Sequence, residues 1–393
     1  MTISAWSPLR IGESQLEHRI VLAPLTRNRG TPSQLHKHTW VPNDLMLQYY
    51  EERATKGGLL ITEATPVSLR ASGVPGIPGL FTEEQQEGWK KIVDAVHQQG
   101  GVFFCQIWHQ GRTTHSCLMD QIPHSSSDVA LQGKFAWNDI PARPYEKPVP
   151  MSKDDIEATQ NDFVQAAVNA LSVGFDGIEV HAGNGYLFDQ FHHSNINLRD
   201  DEYGRDIEGR SKFTLETVQK LCNAIGAGRV AVRLSPFGLF NETLGEERIP
   251  QWQYLCTQLG QMGLAYVHLI EPRFDEFKSA SEKLAAFKNY NVEDLTLKHF
   301  KQALGSTPIM AAGGFGPDNF QEGLQSGAHD LMAFGRFFVA NPDLVQKLRD
   351  QEPLYKWDRS RFYGPFPDNE VGYTVHPSRV FAASGDISKG QLA

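Results

Sequence analysis

The sequence has few cysteines and no long hydrophobic run. Its 393 residues include only four cysteines, Cys105, Cys117, Cys222 and Cys256, and no two of them form a CxxC pair. This spacing is typical of neither a disulfide framework nor a zinc site, so we predict four reduced thiols and no metal site. No uninterrupted apolar stretch approaches the roughly 20 residues that a membrane-spanning helix needs.

The sequence also lacks an excess of positive charge. Lys and Arg number 37 against 46 Asp and Glu, which gives a net charge of −9. Nucleic acids and anionic membranes attract a positive protein face, so the balance argues against either partner. The opening MTISAWSPLRIGES has no basic segment before an apolar core, which argues against a secretory signal. We therefore expect a cytoplasmic monomer or homodimer whose partner is a small molecule.

Eight short apolar runs recur along the chain, each followed by turn residues and a helical pattern. The runs are Ile20–Leu25, Leu59–Ala64, Val102–Trp108, Gly177–His181, Val230–Ser235, Tyr266–Glu271, Pro308–Ala312 and Leu331–Phe334. Several are nearly continuous in Val, Ile, Leu and Phe, which is typical of parallel strands covered on both faces. The pattern predicts an α/β fold, a single (β/α)₈ TIM barrel, with a doubly wound sheet as the alternative.

Three segments are longer than a minimal (β/α)₈ barrel requires. Residues 3–18 precede the first strand, and we predict a hairpin that closes the barrel floor. Residues 109–150 and 273–292 follow strands three and six, and we predict extended loops that form the rim of a site, or decorative insertions. We expect one domain over 1–393, with a barrel core at about 19–350 and a C-terminal extension at about 351–393.

Two motifs have simple structural explanations. Residues 226–231, GAGRVA, match a dinucleotide fingerprint but close a helical pattern and open a strand, so we interpret them as a helix cap and turn. Asp189, His192 and His193 lie at helical spacing without a further convincing ligand. We interpret these three as surface polar residues rather than a metal site.

Polar residues interrupt the ends of three apolar runs. Gln106, His181 and Arg233 lie there in FFCQIW, IEVH and VAVRLS. A buried cation or amide is costly unless something pairs with it, so these side chains predict a ligand with anionic or hydrogen-bonding groups. The alternative is a core network that satisfies itself, for instance with Glu179 pairing to Arg233.

Glycine turns follow the last two predicted strands. The first is AAGGFG at residues 311–316, and the second is AFGR at residues 333–336. TIM barrels commonly bind phosphate through glycine N–H groups after strands seven and eight. Arg336 would add a charge-assisted contact, so the pair of turns predicts an anion site.

These motifs together resemble the old yellow enzyme family of FMN-dependent ene-reductases, which includes the 12-oxophytodienoate reductases. The likeness runs in order over about residues 5–365. It is carried by HRIVLAPLTR (18–27), LITEA (60–64), QIWHQGR (106–112), HAGNGYL (181–187), RDDEYG (199–204), RLSP (233–236), EPR (271–273) and GRFF (335–338). The resemblance implies a TIM barrel with a hairpin across its floor.

The resemblance also implies a non-covalently bound FMN. The residues that would hold it are Pro24, Thr26, Ala64, Gln106, Arg233, Gly313, Gly314, Gly335 and Arg336. Thr26 would contact the flavin O4, Gln106 the pyrimidine edge and Arg233 the N1/O2 region. Gly313, Gly314 and Arg336 would hold the phosphate.

The family's catalytic roles carry over to three residues. His181 and Asn184 would bind the substrate carbonyl oxygen and Tyr186 would protonate the α-carbon, while Tyr363 and Phe277 would border the substrate. The resemblance implies an NAD(P)H oxidoreductase, with NADPH as the family's usual co-substrate and NADH possible, that reduces α,β-unsaturated carbonyl compounds by a ping-pong mechanism. The alternatives are a pathway reductase or isomerase for one bulky natural product, a flavin-binding protein without turnover, and a phosphate-binding barrel aldolase or isomerase.

Overall fold

Eight parallel strands form a closed barrel. The structure is a computed structural model and describes residues 3–137, 140–274, 279–287 and 289–376. The barrel strands are β1 (Ile20–Leu22), β2 (Leu59–Ile61), β3 (Val102–Trp108), β4 (Gly177–His181), β5 (Val230–Leu234), β6 (Tyr266–Ile270), β7 (Ile309–Ala312) and β8 (Leu331–Phe334). Each strand pairs in parallel with the next along the chain, and β8 pairs with β1. The predicted TIM barrel is confirmed, and the doubly wound alternative is excluded.

Helices surround the barrel. They are α1 (Asp44–Glu51), α2 (Glu83–Gln98), α3 (Lys153–Ser172), α4 (Leu187–His192), α5 (Ile207–Ile225), α6 (Arg248–Gly260), α7 (Ala280–Leu284), α8 (Lys298–Leu304), α9 (Phe320–Gln325), α10 (Arg336–Ala340) and α11 (Leu344–Asp350). Gly226 follows α5 with φ +87°, so the dinucleotide-like motif is a helix cap, as the sequence indicated. Over the described ranges, no helix combines the length and the hydropathy that a membrane crossing requires.

A hairpin closes the floor of the barrel. Leu9–Ile11 pairs in antiparallel register with Ser14–Leu16. Ile11 and Leu16 are fully buried against the apolar interior of the barrel. Glu13, in the turn, receives a hydrogen bond of 2.7 Å from Arg229, just before β5. These contacts place the hairpin at the amino ends of the strands and confirm the predicted floor.

The predicted extended loops follow β3 and β6. After β3, the strands Lys134–Trp137 and Ile140–Pro144 form an antiparallel hairpin, and His124–Ser125 pairs with Val149–Pro150. After β6, the described part of the loop includes α7. Phe277, predicted to border the substrate, lies outside the described residues.

Contacts of buried Arg27 and Tyr373 attach the C-terminal extension to the barrel. The guanidinium of Arg27 donates to the carbonyl oxygens of Phe362 at 2.9 Å and Gly372 at 2.7 Å. Tyr373 stacks on Tyr49 of α1, with ring centroids 4.2 Å apart. These contacts fix residues 359–373 over the carboxyl end of β1, where the cavity described below opens.

Candidate active site

One cavity of about 650 Å³ opens at the carboxyl ends of the barrel strands. All of the predicted site residues that the structure describes line it: Pro24, Thr26, Ala64, Gln106, His181, Asn184, Tyr186, Arg233, Gly313, Gly314, Gly335, Arg336 and Tyr363. The segments after all eight strands contribute, because parallel strands that close a barrel bring their carboxyl ends to one face. Residues far apart in the sequence therefore meet in one space.

A layer of buried polar side chains lies across adjacent strands at the base of this cavity. Gln106 Nε2 donates to Glu179 Oε1 at 2.7 Å, and Glu179 Oε2 lies 2.9 Å from His268 Nδ1. Register places Gln106 opposite Glu179, and Arg233 opposite both His181 and His268. Burial works to raise the pKa of Glu179, but His268, Arg233 and Gln106 outweigh it and hold that pKa below its ordinary value.

This layer confirms in part the alternative interpretation of these polar residues as a core network that satisfies itself. The carboxylate of Glu179 is hydrogen-bonded, but to Gln106 and His268 rather than by the simple pairing with Arg233 that the sequence suggested. Gln106 and Arg233 nevertheless also line the cavity. His268 was not predicted, although its position as a polar residue within the apolar run YVHLI gave the same signal as Gln106.

His181 lies at the end of β4 between Arg233 and Tyr186. Burial, followed by the positive charge of Arg233, lowers the pKa of His181 to about 3, so its imidazole is neutral at ordinary pH. A neutral imidazole offers one N–H donor. The ring of Tyr186 meets His181 edge-on at 5.1 Å and Trp108 at 5.0 Å between centroids. A neutral donor and a phenol thus lie side by side in the cavity.

Asn184 lies in a tight loop between β4 and α4. Its φ is +58°, and Gly185 follows with φ +72°. Asn184 N–H donates to Ser235 Oγ at 2.7 Å, while Asn241 Nδ2 donates to the Asn184 carbonyl oxygen at 2.9 Å. A Cβ on Gly185 would lie 2.5 Å from the Cβ of Asn241, so this position requires glycine. Ser235 and Asn241 therefore hold the backbone of Asn184 from both sides.

Asp189, His192 and His193 are not surface residues, and that interpretation was wrong. All three side chains are buried beneath the Asn184 loop, where His192 contacts Thr214 of α5. His193 packs against Trp252 of α6. Helical spacing predicted that the three residues are neighbours, but α5 and α6 bury them, and these helices come from later in the chain.

The glycine turn after β7 leaves its backbone open to the cavity. Gly313 and Gly314 have φ values of +108° and +74°. A Cβ on Gly313 would lie 2.5 Å from the Cβ of Phe274, and one on Gly314 would lie 2.8 Å from Nε of Arg273. Only glycine fits both positions. Arg273 also brings a positive charge to this turn. It belongs to the EPR motif, for which the sequence had indicated no role.

Arg336 lies across the same end of the cavity, at the start of α10. Its guanidinium is 5.0 Å from the ring centroid of Phe274 and 5.8 Å from that of Trp357. These aromatic faces hold the guanidinium by cation–π contacts. Together with the open glycine backbone, the arrangement suits an anionic group.

Aromatic side chains form the rim of the cavity. Tyr363 is 44% exposed, and its ring lies 6.2 Å from that of Trp137 in the hairpin after β3. Phe135 and Tyr145 from the same loop also line the cavity, as do Trp357 and Phe362 from the C-terminal extension. Trp137 was missed because nothing in the sequence says which residues of a long loop turn inward.

Buried Glu63 supports the segment after β1 that carries Thr26. Its Oε2 accepts from the backbone N–H groups of Arg27 and Asn28, each at 3.3 Å. Burial raises the pKa of Glu63 to about 7, against those hydrogen bonds and the nearby guanidinium groups. This carboxyl therefore titrates close to neutral pH.

Comparison with known proteins identifies the family. The NADH:flavin oxidoreductase / NADH oxidase family matches residues 4–354. The flavin oxidoreductase hxnT of Emericella nidulans is 45% identical over 95% of this chain and 97% of its own length. The 12-oxophytodienoate reductase 2 of Arabidopsis thaliana is 40% identical over 95% of each chain.

A solved structure agrees with these relatives. The old yellow enzyme homologue from Zymomonas mobilis superimposes with a TM-score of 0.85 and 32% identity, over 95% of this chain and 99% of its own. Its fold is the barrel described above. The chain is therefore a member of the old yellow enzyme family of FMN oxidoreductases, within the NADH:flavin oxidoreductase / NADH oxidase family.

Proposed function

We propose that the protein is an NAD(P)H-dependent ene-reductase that reduces the activated C=C bond of α,β-unsaturated carbonyl compounds. The observation that carries this proposal is the trio of neutral His181, Asn184 and Tyr186 in one cavity with the glycine turn at residues 313–314. Holding FMN requires none of the three, so their presence favours an enzyme over a flavin-binding protein without turnover.

The residues of the cavity fit FMN. His181 Nδ1, Trp108 Nε1 and Gln110 Nε2 are buried there and have no hydrogen-bond partner among the described residues. Buried polar atoms of this kind normally have partners, so the cavity calls for a polar ligand. We assign the phosphate to the open turn at Gly313–Gly314 with Arg336, and the pyrimidine edge to Gln106 and Arg233. Bound there, FMN would supply the hydride for the reduction.

His181 and Asn184 would donate hydrogen bonds to the carbonyl oxygen of the substrate. Donors that already point at the oxygen stabilise the negative charge that gathers on it as the C=C bond accepts hydride. A neutral His181 suits this role because it presents an N–H without bringing a second positive charge beside Arg233. Tyr186 would then give its phenolic proton to the α-carbon.

We propose a ping-pong order, in which the reduced nicotinamide and the enone use the same space in turn. Aromatic side chains, among them Trp137 and Tyr363, lie at the rim of the cavity. This rim supports an apolar, planar occupant, and both the nicotinamide ring and an enone meet that description. We propose NADPH as the co-substrate, with NADH as the alternative.

The purified protein tests the proposal directly. We expect a yellow sample that releases FMN on denaturation and that oxidises NADPH when cyclohexenone is present under anaerobic conditions. Turnover of one bulky aldehyde with none of the simple enones would favour a dedicated pathway reductase. FMN binding without turnover of any enone would favour the flavin-binding protein, and a colourless sample that FMN cannot reconstitute would contradict the proposal as a whole.

A further inference from the structure

A buried carboxylate lies behind the loop that carries Asn184. Asp189, in the first turn of α4, is 0% exposed. Neither Asp189 nor Ser235, its neighbour after β5, is among the residues that line the cavity. Both residues therefore lie behind the Asn184 loop rather than in the space that a substrate or cofactor would occupy.

Two consecutive backbone N–H groups of the loop donate hydrogen bonds to Asp189 and Ser235. Gly185 N–H donates to Asp189 Oδ2 at 2.8 Å, and Asn184 N–H donates to Ser235 Oγ at 2.7 Å. The Ser235 hydroxyl donates in turn to the same Asp189 oxygen at 3.3 Å. Since a hydroxyl has only one proton, its donation to Asp189 orients its lone pairs toward the Asn184 N–H.

The other carboxylate oxygen faces two histidines. Asp189 Oδ1 lies 3.4 Å from His192 Nδ1 and 3.5 Å from His193 Nε2. His193 Nδ1 accepts from Gly245 N–H at 3.2 Å, so the proton of a neutral His193 is on Nε2, toward Asp189. Burial lowers the pKa of His193 to about 4. The carboxylate therefore has the two histidine rings on one side and the loop N–H group on the other.

The guanidinium of Arg248 in α6 also interacts with the charge of Asp189. It donates to the carbonyl oxygens of Pro236 at 3.1 Å and Gly238 at 2.8 Å. Burial works to raise the pKa of Asp189, but the two histidines outweigh it and keep that pKa below its ordinary value. These contacts favour the anionic form of Asp189.

The loop needs such support because its backbone is strained. A residue other than glycine at φ +58° lies in the left-handed region, and it persists there only when its surroundings hold it in place. The hydrogen bonds from Asn184 N–H and Gly185 N–H hold it there, together with the bond from Asn241 Nδ2 to the Asn184 carbonyl oxygen. The first two end on Ser235 and Asp189, so loss of these side chains should let the Asn184 backbone and side chain shift.

We propose that Asp189 and Ser235 are positioning residues that hold Asn184 in the cavity beside His181. The anionic carboxylate orients the Ser235 hydroxyl and binds Gly185 N–H, and the two together fix the backbone on which the Asn184 side chain stands. This inference rests on the proposed function, in which Asn184 and His181 bind the carbonyl oxygen together.

Phenol binding to the holoenzyme tests the inference, because a phenolate oxygen imitates the polarised carbonyl oxygen. We would measure the dissociation constant of 4-hydroxybenzaldehyde from the change in flavin absorbance, and that of FMN by equilibrium dialysis. Ser235→Ala should weaken phenol binding about 10-fold, the usual effect of one lost hydrogen bond. Asp189→Asn should weaken it in the same direction, and neither variant should change FMN affinity.

Ser211→Ala is the matched control. The Ser211 hydroxyl is equally buried, donates to the Ile207 carbonyl oxygen at 2.8 Å and accepts from Gln251 Nε2 at 2.7 Å, away from the Asn184 loop. This variant should keep wild-type phenol affinity. Should Ser235→Ala not fold, Ser235→Cys supplies the same test, because a thiol of similar shape hydrogen-bonds weakly.

The outcomes separate this inference from the proposed function. Wild-type phenol affinity in Ser235→Ala and Asp189→Asn would overturn the positioning role, and so would an equal loss in Ser211→Ala. If the wild-type holoenzyme itself binds no phenol and reduces no enone, the proposed function fails instead. Weaker phenol binding confined to Ser235 and Asp189, with FMN affinity intact, supports the positioning role.

Discussion

Tyr186→Phe should separate the two halves of the catalytic cycle. The ring of Tyr186 is held edge-on by Trp108 and His181, at centroid distances of 5.0 and 5.1 Å. Phenylalanine keeps both contacts, so the change is confined to the hydroxyl. The pKa of His181 is set by burial and Arg233, and its donor role should survive the substitution.

The magnitude follows from the role of the hydroxyl. A positioned general acid contributes about 10²–10⁴-fold to a proton transfer. Loss of one hydrogen-bonding hydroxyl costs only about 0.5–1.5 kcal/mol of stability, so the variant should fold and retain FMN. Flavin reduction by NADPH needs no proton from Tyr186 and should keep nearly its wild-type rate. Re-oxidation by cyclohexenone should fall by the full general-acid factor.

Anaerobic stopped-flow absorbance of the flavin measures both halves in one preparation. Molecular oxygen is the internal control, since it re-oxidises flavin without an acid at the α-carbon and should react at the wild-type rate. Equal slowing of both half-reactions would show that Tyr186 shapes the cavity rather than donates a proton. No slowing of either would remove Tyr186 from the chemistry.

Three further predictions concern charge in and around the cavity. Arg336→Ala and Arg233→Ala should each weaken FMN binding by about 10- to 100-fold, since each removes a charge partner. Equilibrium dialysis measures this affinity. The control is Arg349→Ala, which should leave FMN affinity unchanged because that guanidinium lies on Trp6, away from the cavity. The pKa of His181 is lowered to about 3, so re-oxidation by enone should show no inflection near pH 6.5 in Glu63→Gln, which lacks the carboxyl that titrates near 7, and an inflection there would refute the neutral imidazole. The pKa of Glu63 is raised from 4.5 to about 7 in the folded protein, so its stabilising contribution is present at low pH and is lost as pH rises through 7. Urea unfolding should therefore show a fall of about 2.5 kcal/mol between pH 5 and pH 8 that Glu63→Gln lacks, and parallel profiles would contradict it.

The strand pattern predicted the barrel but overstated five strands, two of them by three residues. Ile20–Leu25 and Leu59–Ala64 were expected as strands, whereas these strands end at Leu22 and Ile61. Of the residues that follow, Ala23 and Thr62–Ala64 remain buried, and Ala23–Leu25 and Ala64 line the cavity. Apolar composition reports burial, and it cannot distinguish a paired strand from a buried turn.

The site could be predicted where a residue type is unusual at its position in the barrel. Glycine pairs after β7 and polar residues within apolar strands stand out, and Gln106, Arg233 and Gly313 all reached the cavity. Asp189 was not predictable in this way, because its burial depends on α5 and α6. Trp137 was missed for a related reason, since the inward turn of its hairpin is decided by tertiary contacts.

The charges around His181 connect the fold to the chemistry. Register brings Arg233 opposite His181, and the only carboxylate that hydrogen-bonds within this layer, among the described residues, is Glu179. A second positive charge on His181 would have no matching anion in this buried space, so the imidazole is neutral. A neutral imidazole polarises a carbonyl oxygen without readily giving up its proton. In the proposed reaction the proton for the α-carbon would then come from another group, and our proposal assigns it to Tyr186, which is in edge-on contact with His181.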